Sequence, residues 1–222
     1  MAEQKIIWQP IDVDNLLEEM ELDRDGLNYA VRFAEHERSF VTANDPIGFA
    51  NYLVYGKAGR ALRELYLPKG WSRDDSNNQT AIKNPKTKTR VVPCNFDEFA
   101  GDRTNETTNK SPKGEVSRKK SACNRTAWLP GLEPPIIDPE LNDGYQTWVL
   151  GMHVDELRPT GAELSFPVAF DGRYFTQFGT RIILISGDDG GGGVRKRGDF
   201  DDRGDSGSDD SVGVVDIAIK RK

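Results

Sequence analysis

A chain of 222 residues, 36% hydrophobic and 30% charged, is long enough to bury a core but too polar to be core throughout, so polar segments must dilute a folded centre. Two cysteines exclude a disulfide framework, two histidines exclude a His-rich metal centre, and no apolar run approaches the roughly 18 residues of a membrane-spanning helix. The net charge of −6 hides an uneven division, with residues 1–70 at −4, residues 71–127 at +5 and residues 128–222 at −7.

The first region, 1–70, reads as helical. Leu16, Leu17 and Met20 share a face of a segment starting near Asp14, and Leu27, Ala30, Val31 and Ala34 repeat at helical spacing in the next. Asp45-Pro46 predicts a third helix start, because Asp caps free N–H groups and Pro suits the first turn. That helix, broken at Gly56, runs to about Tyr66 and ends before Pro68. The second region, 71–127, opens with Trp71 and a predicted hairpin, Thr80–Lys83 and Lys88–Val92, around an Asn-Pro-Lys-Thr turn. From Pro93 to about Ala127 large apolar groups are scarce, and a flexible linker is expected.

The third region, 128–222, begins with a Pro-rich stretch, 130–139, followed by strand candidates at Tyr145–Met152, Ala162–Phe170, Thr180–Ser186 and Val212–Ile219. Alternation of Leu164, Phe166 and Val168 with polar residues, and the presence of Pro167, places the second of these at a sheet edge. A Gly/Asp-rich insertion, 187–211, separates the last two. The fold class expected is α+β: N-terminal helices packed with a mainly antiparallel sheet or small barrel, with long flexible loops. The third region stands alone or forms one domain with the helices.

The basic middle is the first functional candidate. Lys83, Lys86, Lys88 and Arg90 on the hairpin, with Lys113, Arg118, Lys119 and Lys120 in the linker, form a phosphate-binding footprint, and Trp71 offers a stacking face. The same charges would equally serve to keep a linker solvated. In the acidic insertion, Asp199, Asp201, Asp205 and Asp210 echo a calcium loop, but Arg203 falls on a ligand position, so no metal site is assigned. Its two Arg-Gly-Asp tripeptides are what such a composition supplies by chance. His153, followed by Asp155 and Glu156, is the acid/base candidate, whereas His36 between two glutamates reads as exposed. Asp216 and Lys220 outline a weak nuclease-like pattern, and Asp74 and Asp75 beside Trp71 read as a turn. Gly190–Gly193 lacks the lysine of a phosphate loop.

The function expected on these grounds is a non-catalytic binding protein, without cofactor and with no segment resembling a secretory leader, hence cytoplasmic. Its expected partner is nucleic acid, or a protein that handles it. The alternatives are a metal-dependent hydrolase or nuclease, and a protein-interaction or structural component that binds no nucleic acid.

Overall fold

The protein is described by a computed structural model that covers residues 4–128 and 143–187. Strands from all three sequence regions join in a single seven-stranded sheet. They are β1 (Lys5–Ile7), β2 (Ser72–Asp74), β3 (Ala81–Asn84), β4 (Thr89–Asn95), β5 (Gln146–His153), β6 (Gly161–Asp171) and β7 (Tyr174–Ile185), in the order β1-β7-β6-β5-β4-β3-β2. The sheet is mostly antiparallel, with parallel pairs at β1–β7 and β4–β5. It is open, with β1 and β2 as its edges, and does not close into a small barrel. The candidate strand 212–219, the Pro-rich stretch, the calcium-like pattern and the Asp216/Lys220 pair lie outside the described residues.

Helix α1 (Pro10–Glu19) has Pro at its first position and buries Val13 and Leu17, one turn apart. Helix α2 (Arg24–Arg38) is capped by Asp23, whose side chain accepts from the Gly26 N–H at 2.6 Å, and buries Leu27, Ala30, Val31 and Ala34. Helix α3 (Phe49–Tyr66) starts three residues after the expected Asp45-Pro46. The Asp45 carboxylate bonds backward to the Thr42 N–H at 2.8 Å, closing a turn, and Gly48 in a left-handed conformation (φ 85°) turns the chain into the helix. The helix runs unbroken through Gly56 and stops at Gly70 (φ 93°), after a short 3-10 turn.

The pleat divides the sheet residues between two faces. Val91, Trp148, Leu150, Met152, Leu164, Phe166 and Ile182 join the three N-terminal helices in the main apolar core. The alternate residues Cys94 and Val149 form a smaller cluster with Phe96, Ala100, Phe175 and Phe178. Strand β6 lies between β5 and β7, not at an edge. Pro167 is tolerated there because the ladder to β7 is irregular on both sides of it, where a missing N–H costs little.

The expected linker is built structure. Its last part is helix α4 (Glu115–Trp128), which packs on β5 and β6. This helix was hidden from hydrophobic periodicity because over 115–124, where burial is described, its buried residues are Ser117, Ser121 and Asn124. Asn124 stands in for a ladder partner, donating to the Thr147 and Pro167 carbonyls at 2.7 and 3.0 Å and accepting from the Thr147 N–H at 2.9 Å. The stretch before it, Phe96–Lys113, is fastened to the sheet by Asn109, whose amide donates to the Arg173 carbonyl and accepts from the Phe175 N–H.

A candidate ligand cavity beside strand four

Strand β3 pairs with β4 only as far as the Ile82–Val91 rung. Beyond it, Val92–Asn95 pairs on one side with β5 and has, among the described residues, no strand on the other. The space alongside is a cavity of about 550 Å³, walled by the start of α3, by α4, by the Asn78-Gln79 turn and by β4, β5 and β6. Asn51 fixes one wall, its carbonyl accepting from Asn95 at 2.7 Å, and Tyr55 fixes another, its hydroxyl accepting from the Thr80 N–H at 2.7 Å. Apolar surface from Val92, Val149 and Phe175 faces Lys113 and Lys120.

Lys120 is the unusual group. Its ammonium donates to the Gln79 side-chain oxygen at 2.6 Å, a neutral acceptor. The carboxylates nearby are committed elsewhere: Arg90 takes Asp74 at 2.7 Å and also pairs with Asp143. Among the described residues Lys120 therefore makes no ion pair. Burial disfavours its charged form, and the Arg90 guanidinium adds to that, so its pKa is pulled down to about 8. Cys94 is buried in the same cavity, where burial pushes its thiol up against the pull of Lys113, leaving a protonated sulfur rather than a nucleophile.

The sequence-predicted footprint is partly taken apart by this arrangement. Trp71 is 3% exposed and packs on Tyr66, so its ring offers no stacking face to a base. Arg90 is buried, with its guanidinium spent on Asp74, Asp143 and the Thr147 hydroxyl. Lys86 pairs with Glu21, and Arg118 pairs with Glu115 on its own helix. Lys83 and Lys88 gather with Arg90 around the Tyr145 ring, at 5.2–5.4 Å from its centre. Lys119, also on α4, is half-buried. The structure brings Lys113 and Lys120 together in the cavity and leaves Lys86 and Lys88 exposed at the hairpin turn.

Asp74 and Arg90 give a testable acid dependence. Burial alone would raise the Asp74 carboxyl, but hydrogen bonds from Ser76 and the charge of Arg90 overturn that and hold it at about 2, below its usual 3.8. A depressed carboxylate pKa stabilises the fold above the unfolded value and loses that contribution as pH falls from 3.8 through 2. The loss amounts to about 2 kcal/mol. Chemical denaturation at pH 5 and pH 2 should show this drop in the parent and a drop smaller by about that amount in Asp74→Asn. Equal drops in both would remove Asp74 from the acid response.

His153 ends β5 on the wall of a second cavity, about 490 Å³, with Asp97, Lys110, Asp155 and Tyr174. It is buried, and neither ring nitrogen has a hydrogen-bond partner. Burial lowers its pKa, while Asp155 and the Phe96 backbone pull the other way without closing a well-formed hydrogen bond to the ring. Asp155 spends an oxygen on the Leu157 N–H at 2.9 Å, and Glu156 pairs with Arg38 rather than with the imidazole. Neither Asp155 nor Glu156 therefore orients the imidazole as the acid/base candidate from sequence would need. His36 stacks edge-on against Phe40. Among the described residues no cluster of three His, Cys, Asp or Glu side chains could hold a metal ion, and no helix is long and apolar enough to cross a membrane.

Comparison with family models, curated proteins and solved structures finds no match to this chain. Any functional assignment accordingly rests on the cavity's own chemistry.

Proposed function

We propose that this protein binds a small organic anion in the cavity beside β4. The observation that carries the reading is Lys120, a cation without a counterion among the described residues, placed with Lys113 on the wall of a cavity that also offers apolar surface from Val92, Val149 and Phe175. An anionic group would restore to Lys120 the partner that Arg90 takes from it, and Val149 and Phe175 would cover an apolar body. About 550 Å³ suits a ligand of a dozen or two non-hydrogen atoms and not a polymer strand. The expected class, a binding protein, is kept, and the partner becomes a small molecule.

The test is a fluorescence titration with 8-anilinonaphthalene-1-sulfonate, a probe with one anionic group on an aromatic body. Parent protein should saturate with one probe per chain. Lys113→Gln and Lys120→Gln should each weaken binding about tenfold, equivalent to about 1.4 kcal/mol, and Val149→Trp, which fills the cavity, should abolish it. Undiminished binding by Val149→Trp would place the probe elsewhere and sink the proposal. Exposed Lys86 and Lys88 favour a second reading, contact with a nucleic-acid backbone. A labelled oligonucleotide that bound with steep salt dependence, needed those two lysines and left the sulfonate in place would move the function to the hairpin.

A further inference from the structure

Lys120 has a geometry that anion binding alone does not require. Salt-bridging lysines in proteins ordinarily face a carboxylate, which holds the amine protonated. Here the carboxylates within electrostatic reach, Asp74 and Asp143, are both bound by Arg90, and among the described residues the amine donates to the neutral amide oxygen of Gln79, which holds the protonated form less firmly than a carboxylate would. Arg90 and Lys83 bear on it with positive charge, against the pull of Asp74 and Asp143. A lysine desolvated beside other cations is the arrangement that frees an amine for attack on a carbonyl carbon.

The neighbours suit a substrate with a second handle. Lys113 lines the same cavity and is placed to take a carboxylate, while Tyr52, Ser117 and Thr147 line it as well. Cys94, the other nucleophile there, is kept as a thiol and does not compete.

We propose that Lys120 is the attachment point for a 2-oxo acid, held as an imine with its carboxylate toward Lys113. This inference rests on the cavity being the anion site. The neutral amine adds to the carbonyl carbon, forming a C–N bond. The nitrogen then loses its protons, the former carbonyl oxygen leaves as water, and a C=N bond remains. Amine plus carbonyl gives imine plus water, with no change of oxidation state.

The step is tested on the full chain with pyruvate and cyanoborohydride, whose hydride reduces the imine to a stable secondary amine that peptide mass spectrometry locates. An amine titrating near 8 is about one-tenth neutral at pH 7, against less than about a thousandth for an ordinary lysine. Lys120 should therefore be trapped at least about tenfold faster than exposed Lys86, with a rate rising to half its maximum near pH 8. Lys113→Gln should slow trapping of pyruvate more than that of butanal, which lacks the carboxylate. Lys120→Arg should abolish trapping at this position while still binding the sulfonate probe. Trapping of Lys120 no faster than of Lys86, in protein that binds the probe, would overturn the imine and leave the anion site standing. Failure of the probe to bind in the cavity would overturn both.

Discussion

Arg181→Met is expected to lower the unfolding free energy by about 3–5 kcal/mol, the range for breaking a buried ion pair from one side. Arg181 and Glu163 are 1% and 0% exposed, diagonal neighbours on β7 and β6, where Arg181 registers with Ser165 and Glu163 with Ile183. Two parallel hydrogen bonds join them, at 2.9 Å to one carboxylate oxygen and 2.6 Å to the other. The guanidinium also donates to the Asp102 and Asn105 carbonyls, both at 2.9 Å, and the carboxylate accepts from the Gly101 N–H and the Ser165 hydroxyl. The pair thus fastens the turn at 101–105 to the sheet, and Asp102 stiffens that turn through the N–H groups of Thr104 and Asn105.

Removing Arg181 strands a buried carboxylate and two carbonyls, whereas replacing both residues by Met removes the charge problem and leaves neutral groups, the two carbonyls with the Gly101 N–H and the Ser165 hydroxyl. Double replacement should therefore cost less than the sum of the single changes, with a coupling of at least about 1 kcal/mol in a denaturant cycle. The single variant should melt about 10 °C below the parent, given the few degrees per kcal/mol usual at this size. A single variant within about 1 kcal/mol of the parent would show that the turn opens and lets water reach Glu163.

The same turn explains where the sequence was legible and where it was not. Helices α2 and α3 announce themselves because their buried sets repeat at helical spacing, and strands β5 to β7 because they carry short runs rich in apolar residues. Residues 96–128 carry no such signal, since what holds them is polar and distant in sequence: Asn109 on Arg173 and Phe175, Asn124 on Thr147 and Pro167, and Arg181 on Asp102 and Asn105. Low apolar content reads as linker when such partners cannot be seen. The basic footprint suffered likewise. Lys113 and Lys120 stood out as charges, but the cavity that gives them meaning arises where the β3–β4 ladder stops, and the burial of Arg90 and Trp71 follows from strand register, not from composition. His153 was visible as a residue of interest, while its lack of partners is a tertiary fact.

Gly161→Ala should cost about 3 kcal/mol or more, at the upper end of what one methyl costs in a packed interior. Gly161 opens β6 opposite His153, and an added Cβ would lie 1.9 Å from the Ala100 carbonyl oxygen. That neighbour is backbone and cannot swing aside. Relief would require the 96–105 stretch to lift from the sheet, yet Gly101 (φ 78°) is pressed against β7 just as closely, with an ideal Cβ 2.2 Å from the Ile185 oxygen. Phe96 closes the other side over Gly151, where its ring occupies the space a Cβ would take. Strain at Gly161 must therefore break either the Arg181 anchor or the Phe96 cluster, and both are buried. Gly56→Ala is the internal control: that glycine is exposed within α3 with nothing within 4 Å of an added methyl, so the substitution should stabilise by about 0.5–1 kcal/mol through helix propensity alone. Urea denaturation of both variants reads the contrast. A Gly161→Ala protein as stable as the parent would mean that the 96–105 stretch stands off β6 in solution and is not held against it.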